Sequence, residues 1–401
     1  MIKKILSGCL VWLVLPAFAH EEHTHEPAAT PTARPSLAVS AAFDSQGRLW
    51  RASVRAGQVL VDYSEDKAKT FSTAVAVNPQ PEKVGAEGEL RPNIALGRQG
   101  EIYVSWTQAL DKPYAGDIKF SRSTDGGRHF SAPVVVNRNR DTITHRFDAL
   151  AVANDGNIYV SWIDKRDLHA AQAAGKKYNG AAVYYAISKD NGASFTAEYK
   201  VADNSCECCR IAMTTEPDGS AVMFWRHVYG QNVRDHAIAR IAPEGMAHAP
   251  VRVSYDNWQI DACPHHGPAI ARGGDWGWHL AWYNGAEARQ GLFYARMDDA
   301  AWVTSPPRPF GNTAAQAAHP HLLSTGERVF LVWKELTEDA AIIMLMTSDD
   351  GGRSWDAARQ LAQTGGAADN PFLLSDGKHV YLSWNTARDG YRLIAVSGLE
   401  Q

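Results

Sequence analysis

The chain has 401 residues, of which 45% are hydrophobic and 10% aromatic, and this is ample apolar material for a large buried core. The formal net charge of −4 at pH 7 gives no reason to expect a nucleic-acid partner or an anionic membrane surface. A length of this kind is compatible with more than one domain, but an internal repeat favours a single one.

The N-terminus predicts export. Lys3 and Lys4 precede an apolar stretch over residues 5–15, and Ala17-Phe18-Ala19 forms a small-x-small cleavage pattern. We therefore expect a secretory signal peptide over residues 1–19 and a periplasmic or secreted protein without a membrane span. A lipoprotein signal at Cys9 is the alternative, and it fits less well because the apolar run follows the cysteine instead of preceding it.

Residues 20–35 predict a disordered leader, because they are rich in Pro, Ala and Thr. His20, His23 and His25 lie among glutamates at its start. One interpretation is a solubilising, slightly acidic tail. The other is a weak metal-scavenging tail, since imidazole and carboxylate groups suit copper, zinc and nickel.

Residues 36–398 repeat one pattern and predict a single domain. A strand that carries a Trp recurs seven times at intervals of 51 to 63 residues, and it takes up seven of the 13 Trp of the chain: Trp50, Trp106, Trp162, Trp225, Trp282, Trp333 and Trp384. Apolar alternation and regular turn signals divide each repeat into four antiparallel strands, A to D. Strand B is expected to end in the Trp, which we interpret as core packing.

A polar turn follows the third strand in several repeats. Ser-x-Asp-x-Gly, followed by an aromatic residue, occurs over 123–130, 188–195 and 348–355, with a weaker copy over 64–71. Asp is expected to hydrogen-bond the turn's own backbone and Gly to supply a positive φ.

This turn resembles the Asp-box of the sialidase superfamily and of other Asp-box β-propellers. The resemblance implies an all-β fold, an Asp-box β-propeller. The Trp repeats point to seven blades of four antiparallel strands, and the six blades of the family's sialidases are the alternative. The box itself is a structural turn, so it implies a fold and not an activity.

In a propeller, strand A lines the central channel, so residues just before it should surround the channel mouth. Counting 13 to 16 residues back from each Trp gives a largely basic, thiol and imidazole ring: Arg34-Pro35, Arg91-Pro92, Arg146-Phe147, Cys209-Arg210, His266-Gly267, His319-Pro320 and Asn370-Pro371. We expect Arg91, Arg146 and Arg210 to face the mouth together and to hold an anion, whether a substrate carboxylate or a buried charge partner. Asp164 and Tyr229 are further candidates on the same face.

Cys and His concentrate in the loops before strand A of repeats four to six. The predicted metal ligands are Cys206, Cys208, Cys209, Cys263, His265, His266, His319 and His321, with His145 within reach. Thiolates and imidazoles together suit soft or borderline ions, so we expect a transition metal, copper first and zinc second.

Disulfides are the alternative use of these cysteines, because four cysteines in an exported protein are expected to form two bridges. One of the two would then join cysteines within 206–209, where so short a bridge is strained. One bridge with two free thiols also stays open.

The resemblance to sialidases implies a second function. In that family three arginines clamp a carboxylate by bidentate pairing, a Tyr-Glu pair supplies the nucleophile and an Asp is the acid/base. Arg91, Arg146 and Arg210 suit the clamp, but the family's Phe/Tyr-Arg-Ile-Pro motif is absent. The sequence thus predicts a metal-binding propeller. The alternatives are a glycan-acting, exo-sialidase-like hydrolase or a carbohydrate-binding propeller, and a purely structural module.

Overall fold

The strands follow the repeat that the sequence predicts. The computed structural model describes residues 36–396, so the expected signal peptide (1–19) and leader (20–35) lie outside the described residues. The first two groups of strands are each a four-stranded antiparallel sheet in chain order. They are β1 (Ser40–Phe43), β2 (Leu49–Arg55), β3 (Gln58–Ser64) and β4 (Val75–Ala76), then β5 (Asn93–Leu96), β6 (Ile102–Ala109), β7 (Gly116–Ser123) and β8 (Val134–Val135).

The third and fourth groups merge into one eight-stranded sheet. Their strands are β9 (His145–Val152), β10 (Ile158–Asp164), β11 (Ala181–Ser188), β12 (Tyr199–Ser205), β13 (Ala212–Thr215), β14 (Ala221–Tyr229), β15 (Val233–Ile241) and β16 (Val251–Arg252). A single pairing of Ser205 with His227 joins β12 to β14. Helix α1 (Arg166–Ala173) lies between β10 and β11 and is an addition to the predicted repeat of four strands.

Two further four-stranded sheets and one three-stranded sheet complete the described chain. They contain β17 (Ala269–Arg272), β18 (Gly277–Asn284), β19 (Gly291–Asp298), β20 (Arg308–Phe310), β21 (Ala318–Thr325), β22 (Arg328–Leu336), β23 (Ala341–Ser348), β24 (Arg359–Thr364), β25 (Phe372–Ser375), β26 (Val380–Thr386) and β27 (Gly390–Ala395). Two 3-10 helices span Glu287–Arg289 and Thr313–Ala315. Among the described residues there is no helix with the length and apolarity that crossing a membrane requires.

The first strands of the groups surround a common axis. In turn, β1 contacts β5, β5 contacts β9, β9 contacts β13, β13 contacts β17, β17 contacts β21 and β21 contacts β25, and β25 contacts β1 again. Hydrophobic clusters lie between neighbouring sheets, so strands such as β10 and β11 are buried along their whole length. The prediction of an all-β fold built of four-stranded antiparallel sheets is confirmed, and the arrangement is that of a propeller.

The Asp-box turns have the predicted geometry. In the turn after β7, the hydroxyl of Ser123 accepts the N–H of Gly127 at 2.9 Å and the carboxylate of Asp125 accepts the N–H of His129 at 3.0 Å. The turns over 64–71, 188–195 and 348–355 repeat both bonds. Gly127 has φ of 80°, and a Cβ there would lie 2.7 Å from the Trp50 ring of the preceding group. Gly127, Gly192 and Gly352 therefore serve both the turn and the packing between groups, whereas the box over 64–71 has Ala68 at the same position, with φ of 66°.

The Trp repeat holds for six of its seven members. Trp106, Trp162, Trp225, Trp282, Trp333 and Trp384 are fully buried near the ends of their strands, although each strand continues two to four residues beyond the Trp. Trp50 is the second residue of β2 and pairs with Ala42, as Tyr103 of β6 pairs with Ala95. The prediction for Trp50 is wrong by three positions, because residue spacing alone does not fix strand register.

The first and last parts of the described chain meet at a buried ion pair. Arg91 donates to both carboxylate oxygens of Asp369, at 2.8 and 3.0 Å. The guanidinium also donates to the carbonyl of Val39, whose own N–H donates to Asp369 at 3.1 Å. Among the described residues, β27 pairs only with β26, and the last sheet contains no strand of the first group. Side-chain contacts, and not a strand common to both groups, therefore join the last group to the first.

We predict that Asp369→Ala lowers the free energy of unfolding by about 3–5 kcal/mol, because it leaves the buried Arg91 charge without its partner. Chemical denaturation followed by Trp fluorescence measures the loss. Asp111→Ala is the matched control, since Asp111 pairs with Lys83 on the surface, where their side chains are 98% and 71% exposed. Equal midpoints for both variants would contradict a closing role for the Arg91 pair.

Candidate functional site

Three thiols meet in the loop between β12 and β13. The sulfur of Cys206 lies 3.3 Å from that of Cys209 and 3.8 Å from that of Cys208. All three side chains are buried, and none of the four cysteines of residues 36–396 is in a disulfide. The N–H of Cys206 donates to the carbonyl of Arg226 at 2.9 Å, so the pairing between β12 and β14 fixes the start of the loop.

The loop before β17 brings a fourth thiol and an imidazole. The potential ligand atoms of Cys208, Cys263 and His265 lie within 4.8 Å of one another, as do the sulfurs of Cys206, Cys208 and Cys209. Cys208 thus belongs to both groups. Cys263 and His265 are exposed, and His265 has φ of 51°, in the left-handed region that residues with a Cβ adopt at a cost.

Two arginines lie beside the buried sulfurs. Arg234 donates to the sulfur of Cys206 at 3.4 Å. Hydrogen bonds from Cys208 and Cys209, with the positive charge of Arg226, hold the pKa of the Cys206 thiol well below its usual value. Cys206 raises the pKa of Cys208, and burial raises that of Cys209. Of the three buried thiols, Cys206 is thus the one whose surroundings favour ionisation.

A cavity of about 580 Å³ lies next to the cluster and gives it an open side. Of the four cysteines in the described part of the chain, Cys208 and Cys263 line this cavity, together with His265, Arg146 and Lys165. The group of Cys208, Cys263 and His265 is thus accessible from solvent, while Cys206 and Cys209 lie behind it.

A second polar cluster is built on Glu89, whose side chain is fully buried. Its carboxylate accepts the N–H of Gly267 at 3.0 Å and lies 3.3 Å from Arg210 at each oxygen. Nδ1 of His319 is 2.7 Å away. A Cβ at position 267 would overlap Arg210 and Glu89, so this approach requires glycine. Burial opposes ionisation of Glu89, but Arg210 and His319 outweigh it and lower the pKa below 4.5.

His319 is held as a neutral imidazole. Burial lowers its pKa despite the neighbouring Glu89. The neutral ring therefore donates from Nδ1 to the carboxylate, and its Nε2 keeps a free lone pair. His266 lies next to it with the ring centroids 5.2 Å apart, and burial lowers the pKa of His266 to about 3. Both histidines line a cavity of about 410 Å³ together with Lys334.

A third cavity, of about 160 Å³, lies among the first strands. Glu89, Arg91, Asp148 and Arg210 are among the residues that line it. Asp148 accepts hydrogen bonds from the side chains of Ser105, Thr107 and Asn93. Burial raises the pKa of Asp148 in spite of these bonds. Two carboxyl groups that line one cavity thus have their pKa values moved in opposite directions.

The structure divides the predicted metal ligands among these places. Cys206, Cys208, Cys209, Cys263 and His265 come together in the two overlapping groups, which are the groups of three or more donors found among residues 36–396. His266 and His319 line the 410 Å³ cavity. His321 lines the 160 Å³ cavity, where its Nδ1 accepts the N–H of Leu373 at 3.1 Å. His145 is fully buried, with Nδ1 2.8 Å from the carbonyl of Gly116.

The predicted anion-binding residues are also divided. Arg91 and Arg210 line the 160 Å³ cavity, and each already contacts a carboxylate of the chain. Arg146 lies apart from them, at the 580 Å³ cavity. Asp164 is fully buried and accepts from Trp162 and Arg166, while the Tyr229 ring lies 4.5 Å from the Arg252 guanidinium.

Three charged residues of these clusters, Glu89, Asp148 and Asp369, have no signal in the motif pattern. Arg226 and Arg234 differ from them, because both belong to the polar residues that follow the Trp of the fourth repeat. Glu89, Asp148 and Asp369 lie within two residues of Arg91, Arg146 and Asn370, which belong to the predicted ring. A search for acidic residues beside the ring positions finds these three. The two arginines are in β14 and β15, away from the ring, and only the fold brings them to the sulfurs.

The fold is similar to those of solved polysaccharide-acting enzymes. An ulvan lyase of polysaccharide lyase family PL25, bound to a GlcA-containing saccharide, has a TM-score of 0.53 at 10% identity, covering 89% of this chain and 91% of that chain. The alpha-L-arabinanase of Penicillium chrysogenum, complexed with arabinobiose, has a TM-score of 0.51 at 11% identity, covering 79% and 94%. No family profile and no curated protein sequence matches the chain. At this identity the likeness shows the fold alone.

We predict that Glu89→Gln destabilises the protein by about 3–5 kcal/mol at pH 7, because Arg210 then lacks its buried counter-charge. The folded-state pKa of Glu89 lies below its ordinary value of 4.5. The stabilisation is therefore complete above that pH and is lost as the pH falls further.

Thermal melting of the wild type and of Glu89→Gln at several pH values tests this prediction. The two melting temperatures should converge as the pH falls below 4.5, the ordinary pKa of the group. A difference that stays constant down to the acid limit would contradict the charged state of Glu89.

Proposed function

We propose that the chain is an exported Asp-box β-propeller that binds a transition metal, copper first and zinc second, through the cysteines beside its first strands. The observation that carries the proposal is the convergence of four thiols and His265 into two overlapping groups, each with its ligand atoms within 4.8 Å. These residues come from two loops that are about 55 residues apart in sequence, and only the fold brings them together.

The chemistry of the donors supports copper before zinc. Thiolates select soft ions such as Cu(I), and Zn²⁺ prefers four tetrahedral ligands in a closed site. Each group here offers three donors. The arginines beside Cys206 favour thiolate over thiol, and the thiolate is the form that ligates a metal.

We also infer seven blades and a relationship to the sialidase-like propellers. The circuit of contacts between seven first strands supports the count, and the box hydrogen bonds support the relationship. Residues 1–19 remain a proposed signal peptide, with a periplasmic or secreted location, and residues 20–35 a proposed His-containing leader. The proposed ligand is a metal ion or a glycan, with no nucleic-acid partner.

The metal proposal predicts that anaerobically reduced protein, incubated with Cu(I) or Zn(II) and gel-filtered, retains at least stoichiometric metal by elemental analysis. The double variant Cys208→Ser/Cys263→Ser should lose it, since it removes thiols from both groups. Retention should weaken in acid, because each ligating thiol must release its proton.

His129→Ala is the matched control, because His129 is an exposed histidine of an Asp-box turn. Deletion of residues 20–33 should leave most of the metal, which separates the loop site from the leader. Wild-type protein that stays metal-free with both ions, and that carries two disulfides by mass spectrometry, would contradict the proposal.

A glycan-acting hydrolase is the second candidate function. It is favoured by the 160 Å³ cavity, where Glu89 is held charged and the pKa of Asp148 is raised. Carboxyl groups with separated pKa values are the acid and base that glycoside hydrolysis uses. Two solved proteins of similar fold are, by their names, a polysaccharide lyase and an arabinanase.

Incubation with arabinan, ulvan and sialylated glycans, followed by a reducing-end and free-sialate assay, tests the second candidate. If it is right, the wild type releases product from at least one of them and Asp148→Asn, with an unchanged circular dichroism spectrum, loses more than about 100-fold of the rate. No release by the wild type, or equal release by the variant, would contradict it.

A further inference from the structure

We infer that the cysteine site holds two Cu(I) ions, one buried and one exposed, with the sulfur of Cys208 bridging them. The inference rests on the proposed metal binding and adds the number of ions, their ligands and their order of access. Cys206, Cys208 and Cys209 hold the buried ion, and Cys208, Cys263 and His265 hold the exposed one.

The five donors span more than one ion can reach. A metal–sulfur bond of about 2.3 Å places two ligands of one ion no more than about 4.6 Å apart. Each group of three nearly meets this limit, with its ligand atoms within 4.8 Å. The five donors form two such groups and not a single one. One ion therefore does not reach all five, whereas two ions that share Cys208 use every donor.

The surrounding charges suit two monovalent ions. Four thiolates and two Cu(I) leave a net charge of −2. Arg234 contacts the sulfur of Cys206 at 3.4 Å on the buried side. Arg146 and Lys165 line the cavity on the exposed side. In each binding step copper stays Cu(I), and each thiol that becomes a ligand releases its proton to solvent, so no electron is transferred.

Burial sets the order in which the ions exchange. Cys206 and Cys209 are 1% and 2% exposed, while Cys263 and His265 are exposed and line the open cavity. An incoming ion meets Cys263 and His265 first and reaches the buried sulfurs by exchange on Cys208. The ion at the exposed group is the one that a soluble Cu(I) donor or acceptor can contact.

An anaerobic titration of the reduced full chain with Cu(I), in competition with the chromophoric chelator bicinchoninate, tests the inference. The wild type should bind two Cu(I) per chain, and His129→Ala should do the same. Cys263→Ser, a change at an exposed side chain, should bind one. Cys208→Ser should lower the affinity for both ions by at least about tenfold, because it removes the ligand that they share.

Chelator challenge of the loaded protein gives an independent readout. Excess bicinchoninate should remove one ion rapidly and the other slowly, and Cys263→Ser should show only the slow phase. Saturation of the wild type at one ion that needs all four cysteines would overturn the two-ion site and leave the proposed function standing. No Cu(I) uptake by the wild type, with normal thermal melting, would overturn the two-ion site, and failure to retain Zn(II) as well would overturn the proposed function.

Discussion

The structure depends on joining the two ends of the described chain. Val39, Arg91 and Asp369 come from the first, second and last groups of strands, and they meet in one buried set of hydrogen bonds. A buried ion pair of this kind is stable only when both partners and their hydrogen bonds are in place. Because side chains close the ring, the first strands keep a common axis, and the loops that precede them are brought together.

That convergence produces two polar clusters that lie close together. Arg226 lies between the two clusters. Its charge lowers the pKa of Cys206. Its guanidinium donates to the carbonyls of His266 at 3.1 Å and Tyr283 at 2.8 Å. The thiol cluster is open to a cavity on one side. Glu89 is held by Arg210, Gly267 and His319, so its contacts fix the positions of the loops that meet there.

Local patterns made much of the fold predictable. The box turns form from Ser, Asp and Gly that are near neighbours in sequence, so a local pattern is enough to predict them. The error at Trp50 has a different origin, since register follows from pairing between strands and not from spacing along the chain. The convergence of Cys206, Cys208 and Cys209 was likewise predictable, because one short loop contains all three.

The rest of the site depends on tertiary structure that no local pattern contains. Glu89 contacts Arg210 and His319, which are each more than 100 residues away in sequence. His265 and His319 are separated into different clusters, and each has a left-handed backbone, with φ of 51° and 54°. His319 lies in β21, where the pairing with β22 shifts register between Ala318 and His321. Such bulges re-aim side chains, and they follow from packing between sheets.

The most direct measurement of the central claim is X-ray absorption at the copper edge of the Cu(I)-loaded full chain. Ligation by the cysteine loops predicts a first shell dominated by sulfur, with a minor nitrogen contribution from His265 that disappears in His265→Ala. A shell of nitrogen and oxygen alone, unchanged by replacement of the cysteines with serine, would contradict it, and would show that the thiols are not the copper ligands.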